Sequence, residues 1–254
     1  MNTVVAACPG RKNFARQLAL KALSCTMSRR RLMVQGEKRN GAVYLTFDDG
    51  PSPETTPRIL DTLRAHGAKA TFFVVGRQAA AHPEIVRRML DEGHTVGGHT
   101  YHHSPPNQVD GRRLLEELRA TDAELARIAT SSSRSGSDGH SSIDSPCLTN
   151  ANGCSATNES NPFVTKLFRP PYGKLTVAKF WRLWNDRRTI VLWNKDPKDF
   201  AAESTTQLLD WFQREPIVAG DIVLLHDTSS VTAKALDRLL TNLESTGLKF
   251  APLG

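Results

Sequence analysis

Short apolar runs alternate with longer amphipathic segments along most of the chain. The runs are rich in Val, Ile, Leu and Phe and have the length of strands, whereas the longer segments repeat apolar residues at helical spacing. In segment 81–92, for example, Ile85, Met89 and Leu90 fall on one helical face, with Pro83 near its start. The pattern predicts seven strands, at 42–47, 70–75, 94–98, 166–169, 189–193, 221–225 and 248–252. It also predicts helices at roughly 55–66, 81–92, 110–129, 176–187, 203–214 and 231–246.

This alternation of strands and helices predicts parallel βα units in a single α/β domain. At 254 residues we favour a closed or nearly closed β/α barrel over an open sheet. We place the domain at 42–254, after a basic N-terminal extension at 1–41. Segment 130–162 is rich in Ser, Gly and Asn and has almost no apolar periodicity, so we interpret it as a mobile surface insertion.

Composition favours a folded globular protein, with 39% hydrophobic and 23% charged residues. The net charge of +7 comes partly from a basic run between Arg29 and Arg39. Such a run can bind an anionic polymer, but no nucleic-acid-binding module is recognisable, so we expect a solvated tail and no nucleic-acid partner. The composition does not indicate an oligomeric state, and it is compatible with a monomer.

The sequence predicts no transmembrane segment, because no run of 18 apolar residues occurs. Arg16 and Lys21 interrupt the apolar stretch near the N-terminus, which argues against a signal peptide and favours a cytoplasmic location. The four cysteines form no C-x-x-C pair. Cys147 and Cys154 would close a small disulfide loop in an exported protein, or remain thiols in a reducing compartment.

Reactive side chains recur directly after the predicted strands. In β/α barrels the active site is built at the carboxyl ends of several strands, and core packing does not account for Asp, His and Arg at these positions. We therefore expect one active site there. The candidates are Asp48 and Asp49 after strand one, His99 and His103 after strand three, Arg169 and Tyr172 after strand four, Asp196 and Asp199 after strand five, and His226 and Asp227 at strand six.

The spacing His99-x-x-x-His103 can present two imidazoles to one metal ion on a helical turn. A carboxylate from the pair Asp48 and Asp49 would complete a His₂Asp set with open coordination positions, which is typical of catalytic Zn²⁺. Co²⁺ or Ni²⁺ would fit the same ligands. One aspartate would bind the metal, and the other would act as general base on a metal-bound water.

Three further residues complete this hypothesis. Arg169 would hold the base ionised and oriented through a bidentate contact. His226 is a candidate general acid, because its ordinary pKa lies near neutrality. Either Asp196 or Asp199 would orient His226 and raise its basicity, while the other caps a helix.

The chain resembles the NodB-homology polysaccharide deacetylases, carbohydrate esterase family 4, over about residues 42–252. Five family motifs occur in order. They are TFDDGP at 46–51, HTYHH at 99–103, RPPYG at 169–173, DPKDF at 196–200 and the L-x-H pattern at 224–226. The resemblance implies a distorted (β/α)₇ barrel and metal-dependent hydrolysis of acetyl groups on an oligo- or polysaccharide, such as chitin oligosaccharide or peptidoglycan.

The resemblance also implies a role for each matching residue. Asp48 is the expected catalytic base, and Arg169 is expected to tether it. The expected metal ligands are Asp49, His99 and His103, with Zn²⁺ as the expected metal. His226 is the expected acid that protonates the leaving amine, tuned by Asp196. The Tyr172 amide is the expected oxyanion donor, and Leu224 is expected to line the pocket for the acetate methyl.

The chain departs from the family pattern in two places: Phe200 stands where Trp is usual, and the 130–162 insertion is long. Neither changes an expected metal ligand. The alternatives are an acetylxylan esterase acting on O-acetyl groups, a metal-free relative of deformylase type, and a glycan-binding barrel without catalysis. Intact Asp49, His99 and His103 disfavour the metal-free relative, and the presence of Asp48 and His226 disfavours the non-catalytic barrel.

Overall fold

A computed structural model describes residues 31–105, 108–131 and 164–254 of the chain. Its strands are β1 (Leu32–Met33), β2 (Ala42–Asp48), β3 (Thr71–Val74), β4 (Thr95–Gly98), β5 (Val164–Phe168), β6 (Thr189–Val191), β7 (Ile222–His226) and β8 (Lys249–Phe250). Its helices are α1 (Thr56–Ala65), α2 (Gly76–Ala81), α3 (Pro83–Asp91), α4 (Gly111–Thr130), α5 (Val177–Asn185), α6 (Thr205–Arg214) and α7 (Ser230–Glu244).

The strands form one parallel sheet in the order β1-β6-β5-β4-β3-β2-β7, and β8 pairs with the start of β2. The predicted parallel α/β architecture is confirmed. The ladder between the described strands does not close into a complete barrel. The segment that follows β6 also contacts β7, through an isolated bridge between Lys195 and Val223 in which the Lys195 carbonyl accepts a hydrogen bond of 2.9 Å from the Leu224 N–H.

The sheet begins ahead of the domain boundary that we predicted at residue 42. Leu32 and Met33 pair with Ile190 and Val191, so part of the predicted extension belongs to the sheet. A two-residue strand has too few positions to show periodicity, which is why the pattern missed it. The 130–162 insertion and Cys147 with Cys154 lie outside the described residues, apart from the end of α4.

The helix predicted at 81–92 is confirmed as α3 (Pro83–Asp91), and the short helix α2 (Gly76–Ala81), which the pattern did not predict, lies directly before it. His82 separates α2 from α3 with a non-helical backbone (φ −132°, ψ 57°), and Pro83 begins α3. Proline disfavours the helical conformation in the residue before it and has no N–H to donate, so the break falls at this position. Within the described ranges, no helix combines the length and apolar character that crossing a membrane requires.

Alternate residues of each strand face two different cores. Val43, Leu45 and Phe47 of β2 pack in the larger core against the helices. Tyr44 faces the opposite way, into the concave side of the sheet. There it packs with inward-facing residues of the neighbouring strands and the C-terminal segment, namely Phe73, Leu167, Val191, Ile222 and Leu253.

Candidate active site

Strand alternation carries the predicted site residues to the concave side of the sheet. Asp48 has the same parity as Tyr44, and His226 has the same parity as Ile222. Arg169 likewise lies two residues beyond the inward-facing Leu167. Asp48 and His226 are also direct partners in the β2–β7 ladder. The candidate base and the candidate acid are therefore neighbours by strand register.

Asp48 and Arg169 form a buried ion pair at the centre of the site. Arg169 is fully buried and Asp48 is 3% exposed. Nη1 of Arg169 donates to Oδ1 of Asp48 at 2.7 Å and to the Thr46 hydroxyl at 2.7 Å. The predicted bidentate contact is wrong, because Nε and Nη2 lie near the carbonyls of Val191 and Leu192 at 3.4 and 3.3 Å. The guanidinium is thus fixed by several strands at once.

Asp49, His99 and His103 form a cluster of three candidate metal ligands. One ligand atom from each lies within 4.8 Å of the others. Oδ1 of Asp49 is 3.4 Å from Nε2 of His99 and 3.1 Å from Nε2 of His103. Two ligands of a tetrahedral Zn²⁺ lie about 3.3 Å apart, given bonds of roughly 2.0 Å, so the donor set fits this ion.

The orientation of His99 supports the same interpretation. Its Nδ1 donates to the carbonyl of Arg169 at 2.7 Å, which leaves Nε2 as the free acceptor that faces Asp49. Oδ2 of Asp48 lies 3.9 Å from this Nε2. Asp48 therefore presents one carboxylate oxygen to Arg169 and the other to the cluster, as a base beside a metal site requires.

The two histidines come from a loop and not from the helical turn that their spacing suggested. Thr100 and His103 have positive φ values of 65° and 57°, and Asp49 has one of 76°. Residues other than glycine seldom adopt this backbone conformation, and such strain concentrates at functional sites. The Thr100 hydroxyl supports the loop by accepting a hydrogen bond from the His103 N–H at 3.0 Å.

His226 is oriented by Asp199. Oδ1 of Asp199 accepts from Nδ1 of His226 at 2.8 Å, and Oδ2 accepts from the His226 backbone N–H at 2.7 Å. The Thr232 hydroxyl also donates to Oδ2. Nε2 of His226 faces the cluster, 3.9 Å from Oδ2 of Asp49.

The assignment of Asp196 as the partner of His226 is therefore wrong. Asp196 accepts a hydrogen bond from the Trp193 indole N–H at 3.1 Å and pairs with Lys198. The difference arises from Lys198, whose left-handed backbone (φ 57°) leads into a 3₁₀ turn over Asp199–Ala201. This turn packs Asp199 against the end of β7, while the Asp196 carboxylate is directed to Trp193 and Lys198.

The charges of the site shift two pKa values. Burial alone would lower the pKa of His226, but the hydrogen bond and charge of Asp199, together with Asp48 and Asp49, raise it to about 9. Burial would raise the pKa of Asp49, but His103 and His99 hold it well below its usual range. The metal-free site thus combines an ionised Asp49 with a protonated His226, which is the form that a general acid needs.

Two exposed aromatic rings border the site, one beside the candidate metal ligand His103 and the other beside the candidate acid His226. Tyr172 is 55% exposed, and its ring centroid lies 5.1 Å from that of His103. Phe200 is 62% exposed and contacts His226 edge to face at 5.2 Å. Leu224 is buried on β7 with the parity of His226. The roles of the Tyr172 amide and of Leu224 stay predictions.

The sequence interpretation did not include Thr46 and Thr232, and it counted Asp227 among the active-site candidates without a role, although all three hold the site from behind. Thr46 binds Arg169, Thr232 binds Asp199, and Asp227 is buried behind the Asp48–Gly50 turn. A threonine inside an apolar strand was the available signal for Thr46. For Asp227 the signal was a second charged residue directly after His226, which alternation places on the opposite face.

An enzyme-type site is therefore assembled from five loops at the carboxyl ends of a parallel β/α sheet. A family model described as polysaccharide deacetylase matches residues 35–153. A chitooligosaccharide deacetylase from Bradyrhizobium sp. is 31% identical over 226 residues, covering 84% of this chain and 89% of that protein. The chain belongs to the polysaccharide deacetylases, carbohydrate esterase family 4.

Other relatives support the same family and fold. A peptidoglycan-N-acetylglucosamine deacetylase from Bacillus cereus is 29% identical over 222 residues, covering 86% of this chain and 69% of that protein. The crystal structure of the Bc1960 peptidoglycan N-acetylglucosamine deacetylase superposes with a TM-score of 0.70 at 27% identity. That match covers 87% of this chain and 90% of the crystallised chain.

Proposed function

We propose that this chain is a metal-dependent hydrolase that removes N-acetyl groups from glucosamine-containing glycans. The observation that carries the proposal is the cluster of Asp49, His99 and His103, whose ligand atoms lie within 4.8 Å of one another, with the buried carboxylate of Asp48 beside it. A divalent ion bound there would polarise the amide carbonyl and lower the pKa of a water molecule.

Asp48 is the proposed general base. Its Oδ2 faces the cluster while Oδ1 is held by Nη1 of Arg169 at 2.7 Å. Arg169 is a positioning residue in this scheme, because it has no open side toward the site and is fixed by Thr46 and two main-chain carbonyls. Fixing the carboxylate in this way lowers the cost of aligning it with the attacking water.

His226 is the proposed general acid. Its Nε2 faces the site, and Asp199 accepts from Nδ1, so the proton to be donated resides on Nε2. Protonating the amine as it leaves avoids the expulsion of an amide anion. Tyr172 is the proposed oxyanion donor through its main-chain N–H, and Leu224 is proposed to contact the acetate methyl.

The substrate that we propose is a β-linked glycan containing N-acetylglucosamine, of the peptidoglycan or chitooligosaccharide type. Relatives carry both names: the Bacillus cereus protein is a peptidoglycan-N-acetylglucosamine deacetylase and the Bradyrhizobium protein a chitooligosaccharide deacetylase. The exposed rings of Tyr172 and Phe200 give apolar surfaces on which a pyranose face can pack.

Acetate release tests the proposal. The protein is assayed on peptidoglycan fragments, chitooligosaccharides and acetylxylan as purified, after chelation, and after addition of Zn²⁺, Co²⁺ or Ni²⁺. We expect acetate from an N-acetylated substrate, loss on chelation and recovery with metal. Asp48→Asn is the matched variant: it should bind metal but release acetate more than about a hundred-fold more slowly. Activity that survives chelation, or a preference for acetylxylan, would contradict the proposal.

A further inference from the structure

Asp227 is a buried carboxylic acid that the proposed chemistry does not use. It follows His226 directly, on the opposite face of β7, and is 1% exposed. Oδ2 accepts a hydrogen bond from the Thr56 hydroxyl at 2.7 Å, whereas Oδ1 has no hydrogen-bond partner within the described part of the chain. A buried carboxyl oxygen without a partner is costly, which suggests that its position matters for another reason.

The carboxyl group of Asp227 lies directly against the turn that carries both catalytic aspartates. A Cβ atom at Gly50 would lie 1.9 Å from Oδ2 and 2.2 Å from Oδ1 of Asp227. These distances are far shorter than any real contact, so only glycine leaves room for the carboxyl group. The turn after Asp48 and Asp49 is therefore packed tightly onto the Asp227 side chain.

The backbone of Asp227 is tied to the same segment. Its N–H lies 3.3 Å from the Asp48 carbonyl, and its own carbonyl accepts a hydrogen bond from the Thr55 hydroxyl. The Thr56 hydroxyl, which donates to Asp227, accepts in turn from the Ser52 N–H at 2.8 Å. The chain from Asp48 to Thr56 thus wraps around Asp227.

We propose that Asp227 is a positioning residue that holds the Asp48–Gly50 turn at a fixed separation from His226. Asp227 directly follows His226, the proposed acid, in the chain, and its side chain contacts the turn that carries Asp48, the proposed base. It therefore links the positions of the two residues. The inference rests on the proposed function and extends it. Burial raises the pKa of Asp227 to about 7, although the hydrogen bond from Thr56 opposes this shift.

The test compares Asp227→Ala with Asp227→Asn. Asparagine keeps the shape and an oxygen for the Thr56 hydroxyl, so we expect its kcat and Zn²⁺ affinity to stay within about three-fold of the wild type. Alanine frees the turn, so we expect kcat to fall by about ten-fold or more, with KM nearly unchanged, and Zn²⁺ affinity to fall measurably. The absorption spectrum of the Co²⁺-loaded protein should change only for the alanine variant.

Asp221→Asn is the matched control. Asp221 is equally buried at the opposite end of β7 and binds Asn194 at 2.6 Å and the Val218 N–H at 3.0 Å. We expect this variant to lower the melting temperature without changing kcat or the Co²⁺ spectrum. A folded Asp227→Ala protein with the wild-type kcat and Zn²⁺ affinity would overturn the positioning role.

A double variant tests the contact itself. Gly50→Ala should impair the wild type severely, because its methyl group collides with the carboxyl group, but should add little to Asp227→Ala, where the space is free. Additive effects of the two substitutions would argue against the proposal. Metal affinity separates this proposal from the proposed function. If the wild type binds Zn²⁺ but releases no acetate from any glycan, the proposed function is refuted, and the Zn²⁺ affinities of the Asp227 variants still test the positioning role. A wild type that does neither refutes both.

Discussion

Replacement of Arg169 is expected to destabilise the protein, because it leaves a buried charge unpaired, and to slow the reaction, because Asp48 loses the contact that positions it. Arg169→Met leaves the Asp48 carboxylate, only 3% exposed, without its partner and breaks the contact with the Thr46 hydroxyl. Breaking a buried ion pair by removing one partner costs about 3–5 kcal/mol. The free energy of unfolding from urea denaturation should therefore fall by that amount, and kcat should fall because Asp48 is no longer held.

The pair Asp48→Asn and Arg169→Met separates charge burial from packing. With both charges removed, no uncompensated charge remains, so the double variant should be more stable than Arg169→Met alone. Arg169→Lys keeps the charge but not the planar fork that reaches the carbonyls of Val191 and Leu192, so we expect partial stability and a kcat lowered by about ten-fold or more. If Arg169→Met costs less than about 1 kcal/mol, or the double variant is no more stable than it, the reasoning is wrong.

Three more predictions follow from buried contacts. Burial and the charge of Lys69 lower the pKa of His94 from 6.5 to about 4, so the free energy of unfolding should decrease by up to about 3 kcal/mol as the pH falls from 6.5 towards 4. His94→Gln cannot titrate, so its free energy of unfolding, measured by urea denaturation at pH 7 and pH 4, should decrease by correspondingly less. Equal decreases in the two proteins would contradict this. Gly76→Ala places a methyl group 2.4 Å from Cδ2 of Tyr101, in the loop that carries His99 and His103, and should weaken Zn²⁺ binding by about ten-fold. Gly98→Ala meets no atom closer than 3.7 Å and should leave the Zn²⁺ affinity unchanged. Equal affinities of the two variants would contradict the prediction. Asp199→Asn removes the charge that raises the pKa of His226, so the basic limb of the pH–kcat profile should move to lower pH, and an unmoved limb would exclude this role.

The sequence was most informative where function depends on which strand end a residue follows. Alternating apolar runs located every strand except β1 to within a few residues, and parity then carried Asp48 and Arg169 to the same side of the sheet. The pairing of Asp48 with His226 required the strand order as well, since β2 and β7 are distant in sequence but adjacent in the sheet. Local patterns do not contain this long-range order.

Sequence reasoning failed where a loop conformation decides between nearby residues. Asp196 and Asp199 are three positions apart, and either could reach His226 from an arbitrary loop. The left-handed backbone at Lys198 selects Asp199, although lysine has no intrinsic preference for that conformation. The selection depends on the hydrogen bonds that Asp199 makes to His226 and Thr232, which are tertiary contacts.

Strand β3 shows why the site depends on main-chain contacts as well as on reactive side chains. It separates β2 from β4, so the strands that lead to Asp49 and His99 lie about 10 Å apart in the sheet. The residues that follow β3 bridge this gap through their backbone: the Val75 N–H donates to the Gly50 carbonyl, and the Gly76 N–H donates to the Thr100 carbonyl, each at 2.9 Å. One short segment without catalytic side chains thus holds both ligand loops in register. Because Oδ1 of Asp49 and Nε2 of His99 meet at 3.4 Å from two loops that this segment holds, a displacement of the segment should reach the candidate metal ligands directly.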